Sequence, residues 1–227
     1  MASIWGSVGL PRHVPEIPML AVDDLHCERD ERVLFSRLSF DVTPGSLLQV
    51  QGANGSGKTT LLRILAGLNQ DFTGNLYWQG RPRASVLNEF QQSLFYLGHA
   101  PSVNRTLTPL QNLRWFCALQ GYADDSAILA ALTAQGLAGY AEIPCYQLSA
   151  GQQRRVSLAR LELTAAALWI LDEPFTALDR LAVAALELRL SRHAAAGGAV
   201  VLTTHHPLKT PSPLSILDLD AQRPEAL

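Results

Sequence analysis

The stretch "GANGSGKTT", residues 52–60, decides the fold of this chain. It matches the pattern G-x-x-x-x-G-K-[ST] and lies between a strand-like run, "SLLQVQG", and a helical pattern, "KTTLLRILAG", which ends at Gly67. A strand, a glycine-rich turn and a helix in this order form the context in which the pattern binds phosphate. A glycine-rich turn without a ligand is the alternative, and the matching context disfavours it.

The residue types of this loop suit a nucleoside triphosphate. Glycines allow successive backbone N–H groups to turn toward phosphate oxygens, and the helix N-terminus adds a positive dipole. We expect Lys58 to reach the β- and γ-phosphates and Thr59 to ligate Mg²⁺. The predicted ATP-binding residues are Gly52, Ala53, Asn54, Gly55, Ser56, Gly57, Lys58, Thr59 and Thr60.

A pair of acidic residues follows a second buried strand. The run "LWILDEP" places Asp172 and Glu173 at the carboxyl end of that strand, the edge at which open α/β sheets bind ligands. Two adjacent carboxylates are costly there without a cation. We therefore expect Asp172 to hold Mg²⁺ through its water, and Glu173 to accept a proton from the water that attacks the phosphate. Taken alone, the motif could instead be an acidic helix cap before Pro174.

Two histidines follow the last buried strand, "AVVLTT". His205 is predicted to lie at the same sheet edge, where its imidazole could contact the γ-phosphate and relay its presence. A lone histidine is more often structural, and we expect that role for His206.

The segment "QLSAGQQRRVSLAR", from Gln147, opens a further helix. Ser149 is a good N-cap, and its hydroxyl and the N–H groups that follow form an anion site. Because the phosphate loop lies far upstream, a phosphate bound here would have to belong to a shared nucleotide. A simple helix cap is the alternative.

The remaining patterns predict an α/β core that a helical segment interrupts. Strand patterns in "MLAVDDL" and "RVLFSRLSFDV" form a β-rich N-terminal layer. Thr108, Pro109 and Gln111 combine an N-cap, a first-turn proline and a capping box, so a helix should run to about Gln120. Residues of about 102–165 are predicted to form a helical subdomain, after which "ALWILD" and "GAVVLTTH" resume the core.

The chain length fits one domain. Of its 227 residues, we assign 19–227 to that domain and 1–18 to an N-terminal extension whose glycines and prolines argue against a stable element. Met19 is a possible start of translation. No apolar run reaches the roughly 18 to 20 residues that span a bilayer, so any membrane association should come through a partner.

Charge and cysteine content limit the kinds of partner and of metal or disulfide site that the chain can have. A formal charge of −2 and a pI near 6.3 give no basic field for nucleic acid, which we exclude as a partner. The three cysteines are widely spaced and form no C-x-x-C pair, so neither a disulfide framework nor a zinc site is indicated.

Together these motifs resemble the ATP-binding subunit of ABC transporters over residues 19–206. "LSAGQ" looks like the signature of that family, "TALD" at 176–179 like its D-loop, which includes Asp179, and His205 like its switch histidine. The resemblance implies an α/β P-loop NTPase fold of ABC ATPase type. It also implies an Mg²⁺-dependent ATPase in which two copies enclose two ATPs, and polytopic membrane subunits as partners. The residues that would contact the ATP of the partner copy are Ser149, Ala150, Gly151 and Gln152.

Three stretches resemble one subfamily, the ATP-binding subunit of the haem exporter used in cytochrome c maturation. They are "CERDERVLFSRLSF", "GHAPSVNRTLT", and "IPCYQLSAGQQRRVSLARL" together with "LWILDEPFTALD". This resemblance implies haem export or handling, with the chain bound peripherally to the cytoplasmic face of a bacterial inner membrane. The sequence holds no C-x-x-C-H motif, and no haem site is identified in it.

The chain departs from the family pattern at three places. His99 stands where most members have the Q-loop glutamine, and a neutral imidazole is a poorer Mg²⁺ ligand than a carbonyl oxygen. Ala150 stands where the family usually has glycine, and no aromatic occurs between Leu25 and Leu34, where the adenine is usually stacked.

Two other functions fit parts of the pattern. A soluble ABC-type ATPase of an assembly machinery, such as iron–sulfur cluster assembly, would share all of these motifs. A P-loop kinase would share the phosphate loop. It would also have a site for the substrate that accepts the phosphate, and it would lack the signature element. Genes for polytopic membrane subunits next to this one would favour the exporter.

Overall fold

The computed structural model describes residues 17–121 and 124–221. Most of the predicted N-terminal extension, residues 1–16, lies outside the described residues. The strands are β1 Leu20–Arg29, β2 Arg32–Val42, β3 Leu47–Gln51, β4 Thr73–Trp78, β5 Arg81–Pro82, β6 Leu94–Leu97, β7 Leu168–Asp172, β8 Ala199–Thr203 and β9 Leu214–Asp218. The α-helices are α1 Lys58–Leu65, α2 Leu87–Gln92, α3 Pro109–Leu119, α4 Asp125–Ala134, α5 Ala150–Ala159 and α6 Arg180–Ala195.

The strands form two sheets of different kinds. An antiparallel sheet of order β2-β1-β4-β5 makes the N-terminal layer, and a parallel sheet of order β6-β7-β8-β3-β9 makes the core. All four pairings of the second sheet are parallel. Every residue of β7 and β8 is buried, because helices cover both faces of such a sheet. The predicted α/β architecture and its β-rich N-terminal layer are confirmed.

The order of the parallel strands brings the predicted site together. In a parallel sheet the carboxyl ends of all strands meet at one edge. At that edge β3 runs into the phosphate loop, β7 ends at Asp172, and β8 ends at Thr203, which pairs with Asp172 in register.

A set of helices between β6 and β7 has its own apolar core. Helices α3, α4 and α5 enclose buried residues that include Leu113, Ile128, Leu132 and Val156. The capping box predicted at the start of α3 is present, since Thr108 Oγ1 accepts from the backbone N–H of Gln111 at 3.2 Å. Among the described residues, no helix is both long and apolar enough to cross a membrane.

Candidate active site

The phosphate loop connects β3 to α1 and depends on two glycines. Gly52 has φ 143° and Gly57, the residue before α1, has φ 99°, values that L side chains rarely adopt. A Cβ on Gly52 would lie 2.6 Å from Ser56 Oγ, and one on Gly57 would lie 3.1 Å from the Cβ of Leu34. The sequence requires glycine at both positions because the backbone turns tightly and packs closely there.

Lys58 folds back on the loop that precedes it. Its Nζ donates hydrogen bonds to the carbonyl oxygens of Gly52 at 2.7 Å and Ala53 at 3.0 Å. A phosphate oxygen would compete for the same three N–H groups, since an ammonium has no others. The side chain is therefore held next to the turn where the β- and γ-phosphates were predicted to bind.

The two predicted Mg²⁺ ligands are in direct contact. Thr59 Oγ1 donates to Asp172 Oδ2 at 2.8 Å, and Thr203 Oγ1 donates to Asp172 Oδ1 at 2.7 Å. The Asp172 carboxylate is buried and has a hydroxyl on each oxygen. These hard oxygen donors fit Mg²⁺, which takes few protein ligands and completes its shell with water and phosphate. Within residues 17–121 and 124–221, no group of three His, Cys, Asp or Glu side chains suits a metal ion.

Glu173 has an unusual backbone conformation at the end of β7. Its φ is 49°, and its N–H donates to Thr203 Oγ1 at 2.9 Å. Positive φ is uncommon for a residue other than glycine, and such conformations are concentrated at functional sites. The Glu173 side chain is 16% exposed, and its Oε1 lies 3.6 Å from Nε2 of His205, whose side chain is 73% exposed. The structure thus brings the two predicted catalytic side chains together.

Most of the predicted site residues line one cleft of about 760 Å³. Its lining includes Asn54, Gly55, Gly57, Lys58, Thr59, Thr60, His99, Asp172, Glu173 and His205. Arg29, Asp30, Arg32 and Leu34 line it as well. No Phe, Tyr or Trp is among the described residues that line it, as the sequence indicated for the region of Leu25 to Leu34.

The signature residues are not part of that cleft. Ser149 caps α5, since its Oγ accepts from the N–H of Gln152 at 3.2 Å and its own N–H donates to Gln152 Oε1 at 2.9 Å. Ser149 and Ala150 are exposed. The hydroxyl of Ser149 accepts within its own helix and keeps its proton for donation to a further group. The start of α5 is therefore capped and exposed, and Ser149 to Gln152 are not among the residues that line the cleft with the phosphate loop of the same chain.

Gly151 packs against the segment that precedes α6. A Cβ at this position would lie 2.6 Å from the carbonyl oxygen of Ala177, whose own φ is 63°. Asp179 then caps α6, because its Oδ1 accepts from the N–H of Ala182 at 2.8 Å. The predicted signature and D-loop segments are thus in contact within one chain.

Arg154 was not predicted, although it connects three parts of the site. Its guanidinium is 1% exposed and donates to the carbonyl oxygens of Gly98, His99, Asp172, Glu173 and Pro174, at distances of 3.0, 3.2, 3.0, 2.7 and 3.4 Å. Burial lowers the pKa of this guanidinium, while the carboxylates of Asp172 and Glu173 oppose that shift. The pattern "QQRR" gives two arginines on an amphipathic helix, and only the folded chain distinguishes the buried one from Arg155.

A phosphate loop, a carboxylate pair at the end of the adjacent strand and a capped signature helix within a helical subdomain together define an ABC-type ATPase. The ABC transporter family model matches residues 35–176, more than half of the chain. A cytochrome c biogenesis ATP-binding export protein, CcmA 2, of Salmonella paratyphi A is 54% identical over 190 residues, which cover 84% of this chain and 91% of that protein. The CcmA protein of Pseudomonas savastanoi is 49% identical over 207 residues, which cover 91% and 97%.

Solved structures show the same fold. The ATP-binding subunit of an ABC transporter superposes with a TM-score of 0.73 at 26% identity and covers 82% of this chain and 79% of that chain. An ATP-binding cassette solved as a dimer in a post-hydrolysis state with ADP and Pi superposes with a TM-score of 0.73 at 22% identity, over 83% and 88%. The chain belongs to the ABC transporter ATP-binding family and, within it, to the CcmA family of cytochrome c biogenesis ATP-binding export proteins. It is the ATP-binding, ATP-hydrolysing subunit of an ABC exporter, which disfavours the soluble assembly ATPase and the P-loop kinase.

Proposed function

We propose that two copies of this chain close around two ATP–Mg²⁺ units and that this cycle drives polytopic membrane subunits that export haem for cytochrome c maturation. The main support for a dimer is that the predicted ATP-binding residues lie on two separate surfaces of the chain. The cleft contains the phosphate loop and the catalytic side chains, whereas the exposed start of α5 lies outside it. Each surface is half of a phosphate site, and a second copy supplies the other half.

In this proposal the chain's own residues perform the steps of hydrolysis. Lys58 exchanges its loop carbonyl partners for β- and γ-phosphate oxygens, and Ser149 of the other copy donates to the γ-phosphate. Thr59 and Asp172 would hold Mg²⁺, which supplies neutralisation of the phosphate charge. Glu173 takes a proton from water as the water oxygen bonds to the γ-phosphorus and the bond to the ADP oxygen breaks. His205, whose Nε2 lies 3.6 Å from Glu173 Oε1, would contact the γ-phosphate.

The transmission of this cycle to the membrane partner would follow Arg154. Its guanidinium joins α5 to residues 98–99 and to the backbone at the end of β7, so a movement of α5 would be passed to the backbone that carries Asp172 and Glu173. The location would be the cytoplasmic face of a bacterial inner membrane, where the chain binds peripherally. The haem cargo is proposed from membership in the CcmA family, whose relatives are named for cytochrome c biogenesis and export.

The dimer is tested with variants that separate the binding of ATP from the association of the two copies. Glu173→Gln should bind ATP and form a stable dimer, because it keeps the phosphate contacts and loses the proton acceptor. Adding Ser149→Arg should prevent the dimer while ATP binding stays near that of the parent chain. Light scattering with and without ATP–Mg²⁺ gives the mass, and calorimetry gives the affinity.

A matched control places the same arginine elsewhere. Ser126 is also exposed and lies in the first turn of a helix, α4, so Ser126→Arg in the Glu173→Gln background should still dimerise. A monomer in that control, or a dimer that survives Ser149→Arg, would contradict the proposed interface. The cargo requires a separate experiment, in which the intact membrane complex is purified and its bound haem is measured.

A further inference from the structure

One peptide unit of the phosphate loop is held at both of its ends. The carbonyl oxygen of Gly52 accepts from Lys58 Nζ at 2.7 Å, and the N–H of Ala53 donates to Asp220 Oδ2 at 2.6 Å. These two groups belong to the same planar peptide and point in opposite directions. A carboxylate, a peptide and an ammonium therefore form one continuous hydrogen-bonded chain.

Asp220 is placed by the strand before it. β9 pairs with β3 as far as Gln51 and Asp218, and the N–H of Leu219 then donates to the carbonyl oxygen of Gln51 at 3.0 Å. The side chain of Leu219 is fully buried in the core. The N–H of Asp220 donates to Asp218 Oδ1 at 2.9 Å, which fixes the turn. The carboxylate is thus brought to the loop by an ordered edge of the sheet.

We propose that Asp220 is a positioning residue of the ATP site: by holding the N–H of Ala53 it fixes the Gly52–Ala53 peptide, and through it the resting place of Lys58. Hydrogen bonds in a chain polarise one another, so the carboxylate strengthens Gly52 as the acceptor for the lysine. A loop fixed before the nucleotide arrives loses less entropy on binding. The proposal rests on the nucleotide binding at this loop, as proposed above.

The same side chain has a second, opposing effect on ATP. As an anion beside a phosphate site it repels the ligand, although solvent weakens this effect because Asp220 is exposed. The two effects can be separated because asparagine keeps an acceptor oxygen and removes the charge. Alanine removes both.

The experiment measures the dissociation constant of ATP–Mg²⁺ by calorimetry in the full chain. Asp220→Ala should weaken binding by about fivefold, the loss expected for one hydrogen bond of ordinary strength. Asp220→Asn should bind as tightly as the native chain or slightly more tightly. Asp41→Ala, which removes an exposed aspartate from β2 in the other sheet, should leave the constant unchanged. All three variants should unfold within a few degrees of the native chain.

Two results would overturn the role of Asp220. One is native affinity in Asp220→Ala, and the other is an Asp220→Asn variant as weak as Asp220→Ala. A Lys58→Ala variant in the same assay should lose ATP binding. If Lys58→Ala bound ATP normally, the nucleotide site itself would be wrong. If it lost binding while Asp220→Ala did not, only the positioning role would fail.

Discussion

Replacing the buried arginine of α5 by lysine tests how the site is held together. Arg154 donates five hydrogen bonds to backbone carbonyl groups, whereas lysine has only three N–H donors. Arg154→Lys therefore removes the charged guanidinium donor from at least two of these carbonyl groups, although that of Glu173 also accepts from the N–H of Thr176 at 3.3 Å. Each such group costs about 1–3 kcal/mol, so the free energy of unfolding should fall by about 2–6 kcal/mol.

The assay is thermal unfolding, followed by ATP hydrolysis at a temperature where the variant is folded. For a chain of this size, about 1 kcal/mol corresponds to about 2–4 °C in Tm, so Arg154→Lys should lower Tm by at least about 4 °C. The rate of hydrolysis should fall more than the affinity for ATP, because Arg154 holds the carbonyl groups of Asp172 and Glu173 next to the catalytic carboxylates. The matched control is Arg155→Lys, since the neighbouring Arg155 is only half-buried and donates to the carbonyl oxygen of Gln135 at 3.5 Å. Equal Tm values for the two variants would refute the reasoning.

Three further predictions concern single residues. Gly151→Ala should slow ATP hydrolysis, because its Cβ would lie 2.6 Å from the carbonyl oxygen of Ala177 and force the segment before α6 to move. The measurement is the steady-state rate of ATP hydrolysis. The control is Gly139→Ala, where a Cβ meets nothing within 4 Å. His193, stacked on Trp169 at 3.7 Å, has its pKa lowered to about 4 mainly by burial, so the folded state disfavours its protonation. The contribution of His193 to the free energy of unfolding is therefore complete above about pH 6.5 and is lost as the pH falls toward 4. In urea unfolding, the free energy of unfolding should fall less between pH 7.5 and 5 in His193→Gln than in the native chain. His99→Gln should lower the Mg²⁺ concentration for half-maximal hydrolysis, because an amide oxygen is a harder ligand than an imidazole.

Each of these three has an outcome that would contradict it. Gly151→Ala with native hydrolysis would show that the segment before α6 yields without cost. An unchanged loss of stability between pH 7.5 and 5 in His193→Gln would assign that loss to other groups. Native Mg²⁺ dependence in His99→Gln would show that the departure from the usual glutamine does not affect the metal.

The parts of the site that were predictable depend on local chemistry. A strand, the six loop residues 52–57 and a helix place Lys58 and Thr59 without any long-range information, and the same holds for the cap at Thr108. Asp172 and Glu173 were found because two carboxylates after an apolar strand are costly unless they have a function. Their contact with Thr59 and His205 followed from the general rule that parallel strands end at one edge.

Contacts between residues distant in the sequence could not be predicted from it. Arg154 and Asp220 act through hydrogen bonds to residues up to 56 and 167 positions away, respectively, and no local pattern identifies either. Strand β9 was not predicted because its segment follows several prolines and only Leu217 of its five residues is buried. Pairing with β3 overrides that weak local signal, since a sheet edge supplies backbone partners whatever the side chains are.

The shared active site is tested most directly by mixing two inactive variants. Lys58→Ala keeps the signature surface and loses its own ATP, whereas Ser149→Ala keeps the ATP and loses the hydroxyl that would contact the partner's γ-phosphate, without placing a bulky side chain in the interface. A mixed dimer would restore one complete site, so the mixture should hydrolyse ATP faster than either variant alone, at a rate that rises with the fraction of mixed dimers. A mixture no more active than the sum of its two components would contradict an active site built from two copies of this chain.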